Sequence, residues 1–171
     1  MTTLLGTIFD REDAATRTVA DFTESIDRVR AAYDPSQTLL AVIVSGGEIN
    51  YAAPVTGRAL GPVFSVLGLT PALEAEGSTD HQGDDVSVEA IVSANPDWIL
   101  VMDRDAAVGS KDGSTPAPAA QVLASTSALA NVDAVKNGRI LAMPATAYLD
   151  ESIQMYTTYF SQIADAMEAA K

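Results

Sequence analysis

Three continuous apolar runs constrain the fold of this 171-residue chain more than any other feature. They are Leu39 to Val44 (LLAVIV), Trp98 to Met102 (WILVM) and Arg139 to Met143 (RILAM), and each stops at a breaker: Ser45-Gly46-Gly47, Asp103-Arg104-Asp105 and Pro144. A short run without polar alternation reads as a strand buried on both faces, the pattern of a parallel sheet covered by helices. Helical spacing fills the intervals, over Ala59 to Leu67, Ser87 to Ala94 with Ser87 as N-cap, Ala117 to Ala124, and Leu129 to Val135. A long amphipathic helix comes before them. Asp10 is its expected cap, Val19, Phe22, Ile26, Val29 and Tyr33 its apolar face, and Asp34-Pro35 its end. A last helix spans Glu151 to Ala170, with Ile153, Tyr156, Phe160, Ile163 and Met167 on one side. The fold class this predicts is α/β: a three-layer α/β/α lobe with a mainly parallel central sheet, preceded by a long helix.

Bulk properties narrow the function. With 23 acidic against 10 basic residues the formal charge is -13, which repels phosphate backbones, so nucleic acid is not an expected partner. No apolar run approaches the ~20 residues of a spanning helix. The opening MTTLLGTIFDRED has neither a basic leader nor a small-residue cleavage site. The absence of cysteine removes disulfides and thiolate metal sites.

In sheets of this kind ligands lie beyond the carboxyl ends of the strands. That brings three loops into one region: Ser45 to Arg58, Asp103 to Pro118 (within which Ser110 to Pro118 reads as flexible), and Pro144 to Asp150. Familiar catalytic signatures are missing from them. Ser45-Gly46-Gly47 lacks the GxGxxG spacing of a dinucleotide loop, and no GxSxG elbow occurs. A Ser-His-Asp triad would have to use His81, the one histidine, which lies in the polar stretch STDHQG. Asp84-Asp85, and Asp103 with Asp105, offer oxygens without the spacing of a calcium loop. Asp84-Asp85 reads as a solvated turn and Trp98 as core.

Read together, LLGTIFDRED with the long helix, VIVSGGEINYAAPVTGR, LGLTPALE, STDHQGDDVSVEAIVSANPDWILVMDRDAAVG and VDAVKNGRILAMPATAYLDES resemble the substrate-binding proteins of bacterial iron-siderophore, haem and cobalamin ABC importers. The likeness is strongest to ferric-siderophore binders of the petrobactin and enterobactin type, and NPDWILVMDR is its most specific piece. Members of that family have two α/β lobes joined by one long interdomain helix, with the ligand between the lobes. The resemblance therefore implies that residues 1–34 are the linker helix region and 35–171 the C-terminal lobe. The N-terminal lobe, signal peptide and lipid-bearing cysteine would lie outside this sequence.

Several roles follow from the resemblance. It implies an extracytoplasmic protein, periplasmic or lipoprotein-anchored, that binds rather than catalyses and has no cofactor. Its partners would be a ferric siderophore, with iron held through the siderophore and no protein metal site, and the permease dimer of an ABC importer. It places Arg58 and Arg104 at the ligand, Tyr148 and His81 at its rim, and Glu89 as a permease-docking carboxylate. The chemistry agrees, since a ferric catecholate or mixed catecholate-citrate complex is a compact anion and planar guanidinium forks bond its oxygens. Surface acids are screened over ~8 Å at physiological salt, so the nearest arginines decide.

Each residue also has an ordinary reading. Arg104 can pair with Asp103 or Asp105, and Arg58 can close a turn beside Gly57. His81 can be simply solvated, Tyr148 can cover the sheet edge, and Glu89 can complement a helix dipole. The alternatives for function are haem or cobalamin binding, a small α/β hydrolase or transferase, and an acidic interaction domain.

Overall fold

The apolar runs become strands in the computed structural model, which describes residues 1–109 and 115–171. The predicted loop Ser110 to Pro118 falls partly outside the described residues. The chain divides into two units, Met1–Tyr33 with Glu151–Lys171, and Asp34–Asp150.

The second unit holds the sheet: β1 (Leu39–Ser45), β2 (Glu48–Tyr51), β3 (Asp84–Asp85), β4 (Trp98–Asp103) and β5 (Ile140–Ala142), in the order β3-β2-β1-β4-β5. β1 pairs in parallel with β4, and β4 with β5, whereas β2 is antiparallel to both β1 and β3. Four strands thus share one direction and β2 opposes them. β1 is buried along its whole length and β4 as far as Met102, because both faces are covered. Leu40, Val42, Val44, Ile99 and Val101 pack with Ile91, Leu123, Leu129 and Val132, contributed by helices and turns on one face. Leu39, Ala41, Ile43, Leu100 and Met102, which alternate with them, are equally buried. Trp98 is core as predicted, at 2% exposure, and its indole N–H donates to Gln37 Oε1 at 2.8 Å.

The helices of this unit are α3 (Gly61–Leu67), α4 (Val88–Ala94), α5 (Arg104–Val108), α6 (Ala119–Ser125) and α7 (Asp133–Lys136). Ser87 caps α4 as predicted, its side chain accepting from the Ala90 amide. Other boundaries move. Ala59 lies outside α3 with φ +54, and the helix expected over Leu129 to Val135 is a 3₁₀ turn (Ser127–Leu129) followed by α7. Elements also form where the sequence predicts loop or turn: β2, β3, α5 and a 3₁₀ turn at Ala145–Tyr148. β2 follows β1 through Gly46-Gly47, whose φ values of +64 and +77 are those a two-residue hairpin turn requires. α5 occupies the start of the expected Asp103 to Pro118 loop.

The first unit comprises α1 (Thr2–Ile8), α2 (Glu12–Ala32) and α8 (Ile153–Ala169). The C-terminal helix thus groups with the N-terminal ones. α2 and α8 pack together: Phe22 stacks on Phe160 with centroids 5.8 Å apart, and Arg28 bridges Asp165 and Glu168 at 2.7 and 3.0 Å. Asp10 is not the cap of α2. It adopts φ +57, and Arg11 is the N-cap with no side-chain cap bond, because α1 ends at Ile8 and Asp10 turns the chain between the helices. α1 approaches α2 so closely at Gly6 that a Cβ there would stand 2.6 Å from Ala15 Cβ. Among the described residues no helix is long and apolar enough to cross a membrane.

Candidate functional site

The parallel register fixes the geometry at the carboxyl end of the sheet. Val44 lies beside Asp103, so two residues further on the Gly46-Gly47 turn lies beside Asp105. The Asp105 carboxylate accepts from the Gly46 amide at 2.8 Å through Oδ1 and from the Gly47 amide at 2.9 Å through Oδ2. Two successive amides of a left-handed turn form a small anion-binding concavity, and here the anion is a side chain of the same fold. Asp103 is engaged in a similar way. Its Oδ1 accepts from the Ala106 amide at 2.9 Å, capping α5, and its Oδ2 from the Ala119 amide at 2.8 Å, at the start of α6.

Arg104 therefore pairs with neither flanking aspartate, contrary to the ordinary reading. Among the described residues it forms no ion pair. Its Nε donates to Tyr148 Oη at 3.2 Å, and its Cζ lies 5.5 Å from the centre of that ring. Tyr148 arrives from the next strand. β5 ends at Ala142, the Met143 amide still donates to Val101 O, and the 3₁₀ turn Ala145–Tyr148 follows Pro144.

Arg58 approaches the same ring by another path. β2 runs away from the carboxyl end, and residues 52–60 then form a tight loop. In it the Gly57 amide donates to Ala53 O at 2.7 Å, Gly61 to Gly57 O at 2.8 Å and Val55 to Gly61 O at 2.9 Å. The Arg58 Nη2 donates to the Tyr148 carbonyl at 3.0 Å, and its Cζ lies 4.5 Å from the ring centre. The two guanidinium carbons can thus be no further apart than the sum of their distances to that centre. Two cations are held near each other because both rest on one electron-rich ring, which offsets part of their repulsion. Tyr148 is only 8% exposed, so it is a platform for the arginines rather than an open rim.

The structure brings Arg58, Arg104 and Tyr148 together; His81 and Glu89 stand apart from that contact. His81 is exposed in the 78–83 loop, with Nδ1 3.8 Å from Asp80 Oδ1 and Nε2 3.3 Å from Gln82 Nε2. Asp84 is not merely solvated: it accepts from the Ser78 amide at 2.8 Å and the Ser78 hydroxyl at 2.7 Å, closing that loop. Glu89 is exposed in the first turn of α4. A surface hollow of about 530 Å³ lies elsewhere, against β2 and α4, lined by Glu48, Ile49, Asn50 and Val88 among others, and it touches none of the three clustered residues. Burial pushes the Tyr51 phenol above its ordinary pKa, but that hydroxyl is tied to the Leu73 carbonyl at 2.7 Å and serves the fold.

Sequence reasoning missed the amide-binding roles of Asp103 and Asp105. The signals were present: an aspartate at a strand end before a short helix is a cap, and a Gly-Gly turn in the adjacent strand offers two amides.

Comparison with known proteins gives a consistent picture. A periplasmic binding protein family model matches residues 1–147. The chain is 29% identical to the petrobactin-binding protein YclQ of Bacillus subtilis over 167 residues, 96% of this chain and 50% of that one. It is 32% identical to the ferric-anguibactin-binding protein FatB of Vibrio anguillarum over 145 residues, 84% and 42% of the two chains. The crystal structure of YclQ superposes with a TM-score of 0.79 at 26% identity, covering 97% of this chain and 56% of that one. The siderophore-binding protein BauB, bound to two molecules of acinetobactin and ferric iron, gives 0.77 at 26% identity, with 97% and 56% coverage. The chain spans about half the length of the relatives it matches.

Proposed function

This chain belongs to the periplasmic binding protein family, and from that premise we propose that its Asp34–Asp150 unit forms one side of a binding site for a ferric siderophore. Arg58 and Arg104 bond the anionic oxygens of the chelate, and Tyr148 sets the spacing between them. The supporting observation is the convergence of both guanidinium groups on one phenol ring, with Arg104 left without an ion pair among the described residues. A planar cation with open N–H donors at the carboxyl end of an α/β sheet suits a compact, oxygen-rich anion. The names of YclQ, FatB and BauB supply the ligand class. His81 belongs to the proposed rim, and the site is completed by a second lobe, so that this chain alone binds far more weakly than the two-lobed protein.

The proposed setting is extracytoplasmic, with delivery of the ligand to an ABC permease dimer and Glu89 as a docking carboxylate. Glu89→Gln in the full-length protein should then leave siderophore affinity normal and reduce transport; unchanged transport leaves Glu89 with its helix-dipole role alone. An enzyme reading would need a nucleophile beside His81, whose ring nitrogens lie against Asp80 and Gln82.

Calorimetric titration of the full-length protein with ferric siderophores, haem and cobalamin tests the proposal. Tight binding of a ferric siderophore, weakened about 10-fold or more by Arg104→Gln, is expected for loss of a charge-assisted bond. Preference for haem or cobalamin, or binding indifferent to that change, contradicts it.

A further inference from the structure

α5 has five residues, Arg104–Val108, far fewer than a helix needs to persist on its own. The placement of Arg104, its first residue, must therefore come from tertiary anchors. Its own bond to Tyr148 fixes the side chain; something else has to fix the backbone. Asp105, the next residue, is buried with both carboxylate oxygens on the Gly46 and Gly47 amides, so it ties α5 to the β1–β2 turn. Asp103 ties the same turn of helix to α6 through Ala119. Each of the two acids directs both of its oxygens to backbone amides, and among the described residues neither bonds the guanidinium between them.

We infer that Asp105 is a positioning residue for Arg104: by holding the Gly46-Gly47 amides it sets the helix origin from which Arg104 reaches Tyr148 and the ligand. The inference rests on the siderophore reading only for its effect on binding. The effect on Arg104 itself is independent of any ligand.

The test uses Asp105→Asn in the whole chain. Asparagine keeps the shape but turns an N–H donor toward one of the glycine amides, which already donates. Hydrogen exchange followed by NMR should show the Gly46 and Gly47 amides and the Arg104 Nε–H exchanging about 10-fold faster or more, as loss of a charge-assisted bond implies. Val108→Ala, on the same helix but exposed, should change none of them. Ferric petrobactin is the binding probe, in the full-length protein, where Asp105→Asn should weaken affinity in the same direction as Arg104→Gln. Release of the Nε–H while Arg104→Gln binds like the parent keeps the positioning role and removes the siderophore reading. An Nε–H as protected as in the parent overturns the inference, whatever happens to binding. Should Asp105→Asn not fold, the parent decides: a common protection factor for the three N–H groups, each rate taken relative to its own intrinsic exchange rate, supports the inference, and unrelated protection factors overturn it.

Discussion

Arg58 and Arg104 meet on one tyrosine, but the backbone that carries each is of opposite character. Arg104 stands at the end of a buried parallel strand, in a register continuous with β1, with α5 capped by Asp103 and anchored by Asp105. Arg58 stands in an irregular loop that holds two non-glycine residues in the left-handed region, Val55 at φ +73 and Ala59 at φ +54. A β-branched residue is rarely found there, and such strain persists only where the surroundings over-determine it. Here the determinants are the crossed hydrogen bonds among Ala53, Val55, Gly57 and Gly61. One arginine is placed by regular structure and polar anchors, the other by a strained loop closed on itself. Arg104 is thus held near Arg58 on the shared ring while the flanking Asp103 and Asp105 bond backbone amides instead.

The comparison can be broken or sharpened by substitution. The largest effect belongs to the shared element: Tyr148→Ala should cost about 3 kcal/mol of stability as a buried ring is lost, and should impair both arginines, measured by chemical denaturation and ferric siderophore titration. Selective loss of only one arginine's contribution would break the symmetry assigned to the ring. Next comes Gly57→Ala. A Cβ there meets the Ala52 and Ala53 backbone at 2.6 Å, so a loss of about 1–3 kcal/mol is expected from overpacking in a loop that cannot give way. Tolerance of alanine would mean the loop is not tightly determined.

Relief of strain runs the other way. Val55→Gly should raise stability by about 1 kcal/mol, the order of the left-handed penalty for a residue with a Cβ; a drop in the unfolding midpoint would contradict the strain argument. The smallest effect is expected in the regular region, where Val108→Ala on the exposed side of α5 should stay within about 0.5 kcal/mol of the parent.

The same contrast explains what the sequence made legible. β1 and β4 were readable because burial on both faces leaves continuous apolar runs, β5 because its short run Ile140-Leu141-Ala142 is apolar although partly exposed, and α4 because Ser87 is a side-chain cap. The sequence placed Arg104 at the carboxyl end of β4 and Tyr148 after β5, and the register of a parallel sheet did the rest. β2 was hidden because Glu48-Ile49-Asn50-Tyr51 is short and partly polar, although Gly46-Gly47 marked its hairpin. α5 was hidden because five residues carry no helical period. The Arg58 loop was not legible at all, since its shape comes from backbone bonds and left-handed residues that leave no pattern in side-chain chemistry. Asp10 misled for a related reason: an aspartate before a helix can cap it or turn the chain, and the close packing of α1 on α2 selects the turn.

The account's central claim is that one anion engages both arginines. A double-mutant cycle on Arg58→Gln and Arg104→Gln in the full-length protein, read as ferric siderophore affinity by calorimetry, tests this most directly. The account predicts that each single change weakens binding and that the pair departs from additivity by about 1 kcal/mol, as expected for residues sharing one partner. Additive effects of the two changes, or an unaltered affinity in the double variant, would contradict it.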